Sequence, residues 1–303
     1  MHIPDGFLTP PLWGGLGAAS MASLAVVARK ARLNVEESRI PLMGVMGAFV
    51  FAAQMVNFPV GVGASGHLVG GALLAVTLGP AAATIVLTAV LAIQALVFQD
   101  GGLLALGANV FNMAIAGVAA AWLPYRALEQ SRRKPGVFLA GFCSVFVSAS
   151  LCLGELGLSG VHLTGAPLGV ALLVFLVTAA LEGTITVAVV GALERINPRW
   201  RHAATPHNRP MLSFLMAAAL LIASCGFMVA SSLPDGLEHF AEAMDITGRE
   251  FSLFTAPLPD YEALNVANPW LRKALAGVTG LALTTLVCFL LGRWLTRPRN
   301  EPS

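Results

Sequence analysis

The chain opens Met1-His2-Ile3-Pro4-Asp5-Gly6-Phe7, which puts three chelating nitrogens into two residues. Methionine aminopeptidases act when residue 2 is small, and His2 is not, so Met1 is expected to be retained. The Met1 amine and the deprotonated His2 amide close a five-membered ring around a cation. That amide and Nδ1 of His2 close a six-membered ring. Three nitrogens then lie in one plane and leave a fourth position open. Such a set suits Ni(II) or Cu(II) and is reached by Co(II). Pro4 and Gly6 bend the chain directly behind this head. The other reading is an ordinary start codon followed by a chance histidine, and two residues do not separate the two.

A fourth nitrogen is offered by His67, at the end of the loop Asn57-Phe58-Pro59-Val60-Gly61-Val62-Gly63-Ala64-Ser65-Gly66-His67. The loop is bare enough for backbone to approach a bound group closely. Its plainer reading is an interfacial histidine hydrogen-bonded to water. Gln54, Gln94, Asn109 and Asn112 lie in otherwise apolar stretches, where unpaired polar groups are costly. They serve either as helix-to-helix hydrogen bonds or as a supporting shell around the metal ligands. Asn57 and Asn109, near the outer ends of their segments, are the better placed for that support. Glu182 sits mid-span, too deep to be a ligand, and is read as a docking or proton-relay residue. His239 is a weak candidate for a transient ligand.

These residues must be positioned by membrane helices. Of the 303 residues 56% are hydrophobic and 11% charged, with mean hydropathy +0.77. Soluble domains carry roughly 25% charge. Apolar segments are expected at about 12–28, 41–57, 68–78 (short), 81–98, 103–123, 137–153, 168–193, 211–230 and 274–291. Glu155 to Pro167 reads as a loop, and Ser231 to Arg272 as a long polar and acidic one. With nine segments and the N-terminus outside, fifteen of the eighteen Lys and Arg residues fall in regions 29–40, 124–135, 193–209 and the tail, all cytoplasmic. The orientation is therefore N-terminus out, C-terminus in, which puts Met1, His2 and His67 on one side. Gly14, Ala18 and Ala22 form a small-residue face suited to close helix contact, within the bundle or with a partner. The start lacks the basic head of a signal peptide and is interrupted by Pro4, Asp5, Pro10 and Pro11.

Several chemistries are disfavoured. No G-x-x-x-x-G-K-[ST] loop occurs, so ATP would have to be hydrolysed by other subunits. No H-E-x-x-H occurs; His239-Phe240-Ala241-Glu242 falls short of it, which leaves an intramembrane metalloenzyme as the weak competitor. A ligand-free membrane scaffold is a third reading. Magnesium and calcium want oxygen ligands. Cys143, Cys152, Cys225 and Cys288 each lie in an apolar run and read as small buried hydrophobes.

Met1-His2-Ile3-Pro4-Asp5-Gly6, Asn57-Phe58-Pro59, Gly66-His67-Leu68 and Gln99-Asp100-Gly101-Gly102 through Leu106-Gly107-Ala108-Asn109 closely resemble the CbiM/NikM family. These are the substrate-binding components of cobalt and nickel energy-coupling-factor transporters. Pro234-Asp235-Gly236-Leu237-Glu238 resembles the signature of the PDGLE (CbiN/NikN-like) module. The resemblance implies an all-α integral membrane protein: a seven-span metal-binding domain over 1–200, then a two-span hairpin over 211–295 around an extracytoplasmic loop, 231–272. It implies Met1, His2 and His67 as the ligands of transported nickel(II) or cobalt(II). It also implies a coupling protein (CbiQ/NikQ-like), cytoplasmic ATPases (CbiO/NikO-like) and a place in the bacterial cytoplasmic membrane. No nucleic acid is expected. The fused module favours nickel.

Overall fold

The computed structural model describes residues 1–198 and 209–296. Helices dominate: α1 (Pro10–Asn34), α2 (Ile40–Gln54), α3 (Gly71–Leu78), α4 (Pro80–Phe98), α5 (Leu106–Leu128), α6 (Arg133–Leu158), α7 (Gly165–Ile196), α8 (Arg209–Cys225), α9 (Gly236–Ala243) and α10 (Pro269–Thr296). Prolines open several of them, because their missing N–H is one that a helix start leaves unpaired anyway. Pro10, Pro41, Pro80 and Pro269 all stand at or next to the first helical position. The last turn of α4 and residues 110–117 of α5 are wound as π-helix.

Among the described residues, seven helices are long and apolar enough to cross a membrane: α1, α4, α5, α6, α7, α8 and α10. The expected segments at 41–57 and 68–78 differ from this. They form α2, of 15 residues, and α3, of only 8, both apolar and buried within the bundle. The expected outer loop 155–167 also begins later than its composition suggested. α6 runs on to Leu158, so Glu155 lies inside the helix, buried, and accepts 2.8 Å from Nδ2 of Asn112.

The C-terminal hairpin of α8 and α10 packs on α2 through small residues. A methyl group on Gly47 would fall 2.7 Å from Sγ of Cys288, and Gly280 lies against the rings of Phe51 and Phe98. Close approach of this kind drives helix association where lipid removes the hydrophobic gain. The Gly14/Ala18/Ala22 face does not pack in the bundle: Ala18 and Ala22 are exposed and nothing approaches Gly14. α1 instead meets α5 through Gly17 against Gly107 and through Ser20 Oγ, which donates 2.6 Å to the Gly107 carbonyl.

Arg39, the Gly79 turn, Trp122 and Arg126 line one cavity, so these basic regions share one end of the bundle. Arg199, Arg201, Arg297 and Arg299 of the charge count lie outside the described residues.

Candidate metal site

The opening residues fold back into the bundle, where Met1, His2, Ile3 and Asp5 each meet partners distant in sequence. The Asp5 carboxylate accepts from the backbone N–H groups of Leu103 (3.0 Å), Leu104 (2.8 Å) and Ala105 (3.1 Å), just before α5 starts. Asn109 grips Ile3 from both sides: Oδ1 accepts its N–H at 2.8 Å and Nδ2 donates to its carbonyl at 3.1 Å. That carbonyl also accepts from Gly102 at 2.9 Å. Ile3 is completely buried. Gly6 turns the chain with φ +97° against the Arg249 carbonyl, where a side chain would fit neither the backbone angle nor the space.

His67 is presented from the other side. Strands β1 (Phe58–Gly61) and β2 (Ala64–Gly66) form a short antiparallel hairpin, and residues 67–70 lie outside any helix or strand before α3. Buried irregular backbone needs partners, since lipid supplies none. Glu182, on α7, accepts from the N–H groups of Val69 (2.8 Å) and Gly70 (2.9 Å). Gln54 Nε2 donates to the Val69 carbonyl at 2.6 Å. Nδ1 of His67 lies 3.0 Å from the Leu68 carbonyl. A carbonyl can only accept, so Nδ1 carries the hydrogen and Nε2 presents its lone pair. That lone pair faces the Met1 amine at 3.0 Å, across 66 positions of sequence.

His2 completes the group beside His67. Its ring lies parallel to that of His67, with centroids 5.5 Å apart and an interplanar angle of 7°. Its Nδ1 is 3.1 Å from Oδ1 of Asp100, and its Nε2 is buried without a hydrogen-bond partner. Nδ1 of His2 is thus engaged by Asp100, and closing the chelate would replace that contact.

The segment Pro234–Glu238 closes the site, and each residue has a distinct task. The Pro234 carbonyl accepts from Ser65 N at 2.8 Å, laying the segment beside β2. Asp235 caps α9 through Oδ1, which accepts from Leu237 N (2.7 Å) and Glu238 N (2.9 Å). Its Oδ2 accepts from the Met1 amine and stands 3.8 Å from His67 Nε2. Gly236 lets the backbone lie against Val174 and Phe175 of α7. Leu237 is buried. Glu238 completes the capping box by accepting from Asp235 N at 2.8 Å.

The charges of this group set one another's ionisation. Burial works to lower the pKa of the Met1 ammonium, but the Asp235 carboxylate beside it wins and raises it above the ordinary amine value. Burial would raise Asp235, yet the Met1 ammonium beside it holds it well below the usual carboxylate range. Burial, then the positive amine, lowers His67 and keeps it neutral. Asp100 is buried too, but His2 and the Tyr261 hydroxyl, which donates to it at 2.5 Å, depress its pKa. Burial and then the Asp100 charge push Tyr261 well above its ordinary value.

A cavity of about 520 Å3 opens beside His2 and His67, with Asp100, Asp235, Glu238, Glu242, Glu250 and Asp260 in its wall. An acidic mouth of this kind raises the local concentration of cations. Among the described residues no three His, Cys, Asp or Glu side chains cluster as a side-chain metal site. A cation held here would have to use the chain's own amine and amide nitrogens.

Of the residues singled out in the sequence, Met1, His2 and His67 come together, and Asn109 holds the strand that carries the first two. Glu182 supports the His67 segment through Val69 and Gly70. Gln94 is one step removed, donating from Nε2 to Gln54 Oε1 (2.8 Å) and the Tyr261 hydroxyl (3.2 Å). The Asn57 carbonyl accepts from Ser231 N at 2.8 Å, holding the second module rather than a ligand. His239 lies near the Gly63 turn and outside the cavity wall, apart from the other histidines. Asp5, Asp100, Asp235 and Tyr261 also belong to the site without being candidates from the sequence. Asp5, Asp100 and Asp235 stand in recognisable motifs, whereas no local signal marks Tyr261.

Known proteins with similar sequences and structures agree with this architecture. Residues 2–200 match the CbiM family, described as the cobalt uptake substrate-specific transmembrane region, and residues 209–297 match the PDGLE domain. A putative fused nickel transport protein NikMN of Archaeoglobus fulgidus is 36% identical, over 97% of this chain and 99% of its own length. The fused nickel transport protein NikMN of Rhodobacter capsulatus is 30% identical over 93% of this chain and 94% of its own. A crystal structure of a truncated transition metal transporter superposes with TM-score 0.58 at 34% identity, over 64% of this chain and 99% of that one. The chain is thus a multi-pass membrane protein that belongs to the CbiM family and carries a PDGLE domain at its C-terminal end.

Proposed function

We propose that this protein is the metal-binding component of an uptake transporter for nickel(II), with cobalt(II) as the alternative cargo. The observation that carries this reading is the 3.0 Å approach of the buried Met1 amine to the lone pair of His67 Nε2, with His2 beside it. The protonated amine shares a proton with that lone pair, and a metal cation could take the proton's place between the two nitrogens. The amine, the His2 amide, His2 Nδ1 and His67 Nε2 would make a planar four-nitrogen set, which suits nickel. The full-length resemblance to relatives named as fused nickel transport proteins supports nickel over cobalt.

Two modules, 1–200 and 211–295, build this component. The basic ends gathered around Arg39 and Arg126 support an orientation with Met1 outside and the C-terminus inside. The chain carries no phosphate-binding loop, so energy would come from a CbiQ/NikQ-like coupling protein and CbiO/NikO-like ATPases. The open Gly14/Ala18/Ala22 face of α1 suits contact with the coupling protein.

The test is nickel binding to the purified full chain, compared with His67→Ala and with a chain extended by one residue before Met1. Both changes should abolish tight binding, because one removes a ligand and the other blocks the amine. Undiminished binding by both would overturn the reading.

A further inference from the structure

We propose that Asp235, contributed by the second module, is the positioning residue and permanent counter-ion of the metal site in the first. This deepens the proposed function and rests on it.

The argument starts from what Asp235 touches. One carboxylate oxygen is committed to α9, accepting from Leu237 N and Glu238 N. The other accepts from the Met1 amine and lies 3.8 Å from His67 Nε2. Asp235 therefore faces two of the nitrogens that would hold the metal. The carboxylate is not free to move. Pro234 is bonded to β2, Ser65 Oγ donates to the Leu233 carbonyl at 2.8 Å, and Gly236 is wedged against Phe175. The same hairpin that leads into His67 thus fixes the position of Asp235, and the two are set relative to each other.

Two consequences follow for a bound cation. A metal-bound amine keeps N–H bonds, and Asp235 is placed to accept one of them, which orients the amine lone pair toward the metal. A divalent cation among amine, imidazole and amide nitrogens also leaves positive charge in a buried pocket. Burying that charge without a partner is expensive, and Asp235 supplies the partner. The carboxylate is not itself a ligand, because its second oxygen is held by α9 and the four nitrogens fill the plane.

The charge can be removed without removing the helix cap, because Asn caps as well as Asp. Nickel affinity of the purified full chain is measured by chelator competition for the wild type, Asp235→Asn, Asp235→Glu and His67→Ala, with the absorption spectrum of bound nickel recorded alongside. Asp235→Asn should weaken binding by about 10- to 100-fold, with the spectrum of the remaining complex unchanged. Asp235→Glu should bind more tightly than Asp235→Asn. Wild-type or tighter affinity in Asp235→Asn, with His67→Ala still defective, overturns this proposal and leaves the four-nitrogen site standing. A shifted spectrum in Asp235→Asn also overturns it, since the carboxylate would then be a ligand. Unchanged binding in His67→Ala would instead remove the reading on which the proposal rests.

Discussion

Glu182, in the middle of α7, accepts the N–H of Gly70 at 2.9 Å, and its other oxygen accepts the N–H of Val69 at 2.8 Å. A buried carboxylate in a membrane helix usually signals ion or proton chemistry. Here it completes the hydrogen bonding of an unwound stretch. Gly70 has φ +78°, so α3 cannot extend backward through it to His67, and Glu182 replaces the helix bonds that are lost.

Glu182→Gln replaces one accepting oxygen with a donor and leaves a buried N–H of Val69 or Gly70 unpaired. An unpaired buried group costs about 1–3 kcal/mol. The variant should melt at lower temperature in detergent and bind nickel more weakly, because the segment after His67 is no longer held. A melting temperature and nickel affinity equal to wild type would show that the bonds to Val69 and Gly70 do not hold His67.

Asn109→Ala deletes both bonds to Ile3 while leaving every proposed ligand in place. Supporting residues of metal ligands are worth about 10–100-fold in affinity. Asn109→Asp keeps the acceptor for the Ile3 N–H but loses the donor to its carbonyl, and should fall between wild type and alanine. Isothermal titration with nickel separates the three, and an alanine variant that binds like wild type would show that the first residues are held by other contacts.

Metal affinity should fall as pH falls. The nitrogens must lose protons before they can bind a cation. The Met1 pKa is raised, so at neutral pH a bound proton has to be expelled from the amine, and the gain in affinity should continue above pH 8, beyond the ordinary amine value. His67 is lowered, so its share of the slope is shifted toward the acidic end of the range. Affinity measured from about pH 9 to 5.5 should decline throughout; a flat profile would argue against nitrogen ligation through the amine.

Some of this was readable along the chain. The amine, amide and imidazole of Met1 and His2 are linked by covalent bonds, so their chelate rings follow from local connectivity. The apolar segments and the placement of Lys and Arg are also linear properties, and they put Met1, His2 and His67 on one side. The tertiary structure decided how the site is closed. The acidic stretch 231–272 reads either as a solvated loop or as a segment that attracts cations and covers the site, and the sequence does not say which of its carboxylates turns inward. Asp235 reaches Met1 across 234 positions, and Tyr261 reaches Asp100 across 161. Contacts so distant in sequence depend on the packing of α8 and α10 against α2, which no local pattern specifies. Glu182 shows the same division. Its sequence context showed that a carboxylate in lipid must have partners, but only the folded chain identified them as the backbone N–H groups beneath His67.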